Sequence, residues 1–97
     1  MAARERLAYI TGASSGIGQA LAARMNAAGY RLALVARRAD AVSAWAQGAS
    51  IGADRFAVYA ADVRDVDAIT QAGRACIAAH GIPDVVIANA GIRNGIE

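Results

Sequence analysis

Thr11-Gly12-Ala13-Ser14-Ser15-Gly16-Ile17-Gly18 follows an apolar run, Leu7 to Ile10, and precedes an amphipathic stretch, Gln19 to Ala28. Strand, glycine loop, helix is the layout of a phosphate-binding turn. Gly12 allows the chain to leave the strand with a backbone angle that a Cβ would penalise. Gly16 lets a phosphate group approach the main chain, and Gly18 lets the helix pack close on the strand. A helix starting near Gly16 points unpaired N–H groups and the positive end of its dipole at whatever lies over the loop. An anion is the natural occupant, with Ser14, Ser15 and Ile17 beside it.

Outward from this loop the chain alternates between two kinds of segment. Leu7–Ile10, Arg31–Ala36, Arg55–Ala60 and Asp84–Ala88 are apolar runs that suit strands buried on both faces. Between them lie three helical patterns. The first carries Ile17, Leu21 and Met25 on one face and ends at Gly29; the second runs from about Asp40, a candidate N-cap, to Gly48 with Val42 and Trp45. The third carries Val66, Ile69, Gly73, Cys76, Ile77 and His80 before Gly81 and Pro83 stop it. His80, in the last turn, is read as a capping or packing residue rather than a catalytic one. The order βαβαβαβ predicts an α/β fold, half of a doubly wound parallel sheet. Right-handed crossovers give strand order 3-2-1-4, with the first two helices on one face and the third on the other. Ligands then bind where the carboxyl ends of strands 1 and 4 diverge.

The composition narrows the partners. With 97 residues the chain reads as one small domain with a thin core, and its net charge of +2 is spread along the sequence. Nothing forms a nucleic-acid arm or a polybasic membrane patch. All ten basic residues are Arg; there is no Lys. The single Cys76 makes no disulfide framework and belongs to no metal-spaced set, so no metal site is expected. Arg4 and Arg6 before the uncharged stretch Leu7–Ala23 superficially mimic a signal peptide, but the glycines and serines of the loop break any apolar core. A cytoplasmic protein without membrane or nucleic-acid partners is expected.

Further features fall at the carboxyl ends of the other strands. After strand 2 come Arg37 and Arg38, where an acidic residue would bind the adenosine ribose hydroxyls of NAD and an Arg accommodates the 2′-phosphate of NADP. A charge-assisted contact of about 1.5–3 kcal/mol corresponds to roughly ten- to hundredfold discrimination. Both arginines can alternatively be solvated loop residues. After strand 3, Asp62 can accept from an adenine amino group while Val63 flanks the ring; Asp62 suits equally well an N-cap or turn. After strand 4, Asn89-Ala90-Gly91 leaves room for a nicotinamide ribose, with Asn89 able to tie neighbouring backbone together, though a plain turn uses the same residue types.

Together these elements resemble the short-chain dehydrogenase/reductase family. Thr11 to Gly18 matches its Thr-Gly-x-x-x-Gly-x-Gly signature, Asp62-Val63 its adenine-contact pair, and Asn89-Ala90-Gly91 its Asn-Asn-Ala-Gly element with Ala88 in place of the first Asn. The resemblance implies a Rossmann fold and hydride transfer between NADP, in preference to NAD, and a carbonyl or alcohol substrate. It also implies a homo-oligomeric full-length form. The family's catalytic Tyr and the Lys four residues later, with an assisting Ser, have no counterpart: Tyr9, Tyr30 and Tyr59, placed on strands 1 to 3, are followed four residues on by Ala13, Leu34 and Val63. Residues 1–97 therefore read as the cofactor-binding N-terminal part of a longer enzyme, inactive alone, with no catalytic residue of its own and strand 4 left as a bare edge. The alternative is a non-catalytic nucleotide-binding or interaction module. A methyltransferase-like site is disfavoured by Arg37 and Arg38, and a kinase-type phosphate loop by the absence of Gly-Lys-Ser/Thr.

Overall fold

The computed structural model describes residues 5–89. In chain order the elements are β1 (Leu7–Thr11), α1 (Gly16–Ala27), β2 (Arg31–Ala36), α2 (Ala39–Gly48), a 3₁₀ turn (Ala53–Arg55), β3 (Phe56–Ala60), α3 (Val66–His80) and β4 (Val85–Ala88). The strands form one parallel sheet in the order β3-β2-β1-β4. This is the Rossmann-like half-sheet that the apolar runs predict. β1 is buried along its whole length and β2 along all but its first residue, whereas β3 and β4 are partly open. Interior strands of a parallel sheet are covered on both faces, so continuous apolar runs are what they require.

Alternation along the strands sends side chains into two cores. On one face Ala8, Ile10, Leu32 and Leu34 pack with Ala22 of α1 and with Val42 and Ala46 of α2. On the other, Leu7, Tyr9, Ala33 and Val35 pack with Ala72 and Cys76 of α3. The helices divide between the faces as the right-handed crossover requires.

Several local expectations are corrected. The packing face of α1 is Gly18 and Ala22 with Met25 partly buried, and Ile17 is 69% exposed. The face is turned from the expected Ile17–Leu21–Met25 stripe because Gly18 must lie against the glycine loop. Asp40 is not the N-cap of α2: the helix begins at Ala39, Arg38 occupies the cap position without a side-chain cap, and Asp40 sits in the first turn, where its charge complements the helix dipole. The end of α2 is set by Ser50, at φ 64°, which returns the buried Ile51 to the core. β3 starts one residue late, because Arg55 closes the 3₁₀ turn through its N–H to Gly52 O (2.8 Å) and reaches Glu5 and Gly29 O with its guanidinium. β4 likewise starts after Asp84, whose carboxylate accepts from Leu7 N–H at 2.8 Å. Tyr30 precedes β2 rather than lying on it, with the Arg6 guanidinium 6.0 Å from its ring centre.

α3 also buries a narrower face than its periodicity suggests. Val66 is 75% and Ile77 48% exposed, while Ala72 and Cys76 are buried. Its N-cap is Asp65, which accepts from Ala68 N–H at 3.1 Å. At the other end His80 does not act as a cation facing the helix dipole. Its Nδ1 lies 3.1 Å from the Arg31 guanidinium, and its ring meets Tyr59 edge-on at 6.5 Å. A guanidinium has only donors, so Nδ1 accepts and the imidazole is neutral with its proton on Nε2. Burial and the Arg31 charge both hold its pKa below the usual histidine value.

Candidate nucleotide-binding site

The loop between β1 and α1 is built from backbone constraints. Gly12 takes φ 67°, and a Cβ there would collide with the Asn89 carbonyl. At Gly18 a Cβ would collide with the Gly12 carbonyl and stand 3.0 Å from Ala13 Cα and 3.1 Å from Asn89 Nδ2. Gly16 is the opposite case: a Cβ would have nothing within 4 Å. Two glycines are therefore required by what lies behind the loop, and the third keeps its front open.

Ser15 and Asn89 lock the loop. The Ser15 hydroxyl donates to Gly12 O (3.0 Å) and accepts from Gly18 N–H (2.9 Å) and from Asn89 Nδ2 (2.7 Å). One donor and two acceptor positions are all that a hydroxyl has, so Ser15 is fully committed as the N-cap of α1. Asn89 uses the other hydrogen of its amide on Gly12 O at 3.1 Å. The end of β4 is thus tied to the loop leaving β1, and the Thr11 hydroxyl reaches Asn89 O at a long 3.5 Å. Ala13 N–H donates to Val35 O (3.1 Å), fixing the loop to β2 as well. Of the first-turn N–H groups, Gly18 is capped by Ser15, whereas Gly16 and Ile17 are too early in α1 for an acceptor within the helix. An anion is what such a terminus accepts.

Three further strand ends surround this loop. Arg37 and Arg38, after β2, are both exposed, and Arg37 NH1 stands 3.9 Å from Asp62 Oδ2. Asp62, after β3, is a turn residue and not an N-cap. Its Oδ1 accepts from the Arg64 N–H (2.9 Å) and Nε (3.1 Å), and its Oδ2 from Arg64 NH2 (2.8 Å). The hydrogen bonds from Arg64, and more weakly its charge and that of Arg37, hold the Asp62 carboxyl at about 2. Val63 is 38% exposed, and an open depression of about 590 Å³ lies alongside, lined by Asp62, Arg64, Asp65, Val66 and Asp67. Ser14 is exposed at the loop tip. Ala90 and Gly91 lie outside the described residues.

Two participants escape a reading of the sequence motifs. One is the commitment of Ser15, foreshadowed by its place three residues before Gly18, the spacing of an N-cap contact. The other is Arg64. Its signal is the Asp-x-Arg spacing in a turn, where an aspartate bonds the N–H two residues on. Among the described residues no group of three or more acidic, His or Cys side chains is placed to hold a metal, and no helix is long and apolar enough to cross a membrane.

A parallel half-sheet with a capped glycine loop at its central crevice defines a Rossmann-like α/β protein. Residues 6–97 match the family model described as short chain dehydrogenase, and the chain belongs to that family. It is 38% identical over 90 residues to 3-dehydrosphinganine reductase TSC10A of Arabidopsis thaliana, covering 92% of this chain and 26% of that protein. It is also 38% identical over 87 residues to 2-dehydro-3-deoxy-L-rhamnonate dehydrogenase (NAD(+)) of a Sphingomonas strain, covering 90% of this chain and 33% of the other. Among solved structures, a metagenomic short-chain oxidoreductase in complex with NADP superposes with a TM-score of 0.74 at 33% identity, over 84% of this chain and 37% of that one. The chain spans about a quarter to a third of the length of these curated relatives.

Proposed function

We propose that this chain is the cofactor-binding N-terminal part of an NADP(H)-dependent short-chain oxidoreductase. The observation that carries the reading is the division of labour in the loop. Gly12 and Gly18 have no room for a side chain, while Gly16, the first residue of α1, has open space where its Cβ would stand. A pyrophosphate fits that opening, with Gly12, Ser14, Ser15, Gly16, Ile17 and Gly18 forming the cradle. Ser15 acts there by holding the loop, since its hydroxyl is already engaged. Exposed Ile17 offers an apolar contact over the loop.

Arg37 and Arg38 receive the 2′-phosphate in this reading, Asp62 and Val63 hold the adenine, and Asn89 with Ala90 and Gly91 borders the nicotinamide ribose. Related chains carry both cofactors in their names or structures, so the arginines decide the choice here. When bound, the dinucleotide supplies or accepts the hydride exchanged with a carbonyl or alcohol carbon. The residues of this chain bind and orient it. The chain has no Lys and so no Tyr-x-x-x-Lys pair, and on this reading the 97 residues alone do not turn over. The same reading makes the protein cytoplasmic and the full-length form a homo-oligomer.

Titration of the protein with NADPH and NADH, followed by nicotinamide fluorescence, tests the cofactor choice. NADPH binds more tightly, and Arg37→Asp weakens it by about tenfold or more while sparing NADH. An unchanged ratio in that variant means that Arg37 does not read the phosphate.

A further inference from the structure

The turn between β3 and α3 brings three charged side chains together in an order that only the structure reveals. Asp62 lies between two guanidiniums, but it does not share itself equally. A carboxylate has about four acceptor positions, two on each oxygen. Arg64 fills both positions on Oδ1, with its N–H and Nε, and one on Oδ2, with NH2. What remains is one position on Oδ2, and Arg37 NH1 stands 3.9 Å from that oxygen, an ion pair too long to be a hydrogen bond. Arg37 is thus held close to Asp62 without being captured by it, and its side chain is 68% exposed.

We propose that Arg64 is a positioning residue for cofactor choice: by occupying the Asp62 carboxylate it keeps the Arg37 guanidinium available to the 2′-phosphate of NADP. The proposal rests on the dinucleotide reading of the site. A planar fork such as a guanidinium takes a carboxylate in a two-bond grip that excludes a second fork from the same edge. With Arg64 truncated, the backbone N–H of residue 64 still holds one position on Oδ1, but two acceptor positions, one on each oxygen, lose their side-chain partner, and Arg37 is the nearest remaining cation. It then forks onto Asp62, its charge is neutralised, and a phosphate must displace a carboxylate to reach it. The local charge also falls by one, which disfavours a dianionic group in the same direction.

Dissociation constants of the full-length protein for NADPH and NADH, measured by nicotinamide fluorescence, provide the test. Arg64→Ala raises the NADPH constant by about two- to fivefold, the scale of one exposed charge, and leaves the NADH constant close to its original value. Adding Asp62→Asn to Arg64→Ala restores the ratio of the two constants, because a neutral amide does not capture Arg37; any lost adenine contact affects both cofactors alike. A ratio unmoved by Arg64→Ala, or parallel losses for both cofactors, overturns the role of Arg64 and leaves the dinucleotide site standing. A wild-type protein that binds neither cofactor overturns the site reading and this proposal together, and one that binds both equally overturns the NADP preference and with it this proposal.

Discussion

Gly12 and Gly16 lie four residues apart in one loop and respond in opposite ways to an added methyl group. At Gly12 the backbone is in the left-handed region, which costs an L-residue about 1–2 kcal/mol, and the new Cβ meets the Asn89 carbonyl. Gly12→Ala therefore lowers stability by at least about 2 kcal/mol in chemical denaturation. At Gly16 the backbone is helical and the space in front is empty. Gly16→Ala keeps or slightly raises stability, since Ala favours helix, but puts a methyl group where the phosphate approaches, weakening NADPH by about tenfold. Denaturation midpoints and cofactor titrations of the two variants separate the roles. Equal loss of fold in both would contradict the assignment of Gly16 to the ligand side.

At this scale the motifs were visible in the sequence but the partners were not. Spacing alone places Gly12, Gly16 and Gly18 in a loop. It cannot show that the Ser15 hydroxyl is spent on Gly12, Gly18 and Asn89, because Asn89 arrives from 74 residues away. Asp62 illustrates the same gap, since a local reading leaves N-cap and turn open until Asp65 is seen capping α3.

The elements were legible where apolar periodicity and caps agree. β2 runs over the expected Arg31–Ala36, and α3 stops where Gly81, at φ 90°, ends it. Which face a helix buries was less legible, because α1 and α3 are rich in Ala and small residues pack as well as large ones. In α1 the tight seat of Gly18 decides the rotation; in α3 buried Ala72 and Cys76 face Tyr9 and Val35 while Val66 stays in water.

α3 is pinned at its far end by His80, and that contact sets a pH dependence. The charged and titratable groups around it are Arg31, with Glu5 4.0 Å from Arg31, then Tyr59 from β3 and Cys76 one turn earlier. Burial and Arg31 depress the folded-state pKa of His80, so the unfolded chain binds the proton more readily. Its contribution is complete above the unfolded histidine value of about 6.5 and is lost as pH falls through the lower folded value. Denaturant midpoints measured from pH 7.5 to 5.5 fall for the wild-type protein, and His80→Gln, which can still accept from Arg31, flattens that slope. Equal slopes in both proteins would remove His80 as the cause.

On the scale of the whole molecule, the parallel sheet places four strand ends around one crevice, and every proposed ligand contact sits at that end. Away from it the surface is different in kind. Among the described strands β4 is an edge, and exposed Val86, the register partner of Tyr9, joins exposed Ile77 and Ile82 on the side of α3. Unpaired edges and apolar groups of this sort favour association, so binding measurements belong at low protein concentration. The topology followed from the order of elements and the handedness rule, both sequence properties. The ionic link from Arg37 through Asp62 to Arg64 did not, since it depends on how closely the ends of β2 and β3 approach.

In the proposed function, the opening over Gly16 receives the phosphates of a dinucleotide. Amide chemical shifts of the isotopically labelled protein, recorded by NMR while NADPH is added, test it at the groups concerned. Saturable shifts at the N–H of Gly16 and Ile17, accompanied by Val63 and Asn89 and absent from the His80 end of α3, are the predicted result. Unmoved Gly16 and Ile17 amides, at NADPH concentrations that shift residues elsewhere or none at all, would contradict it.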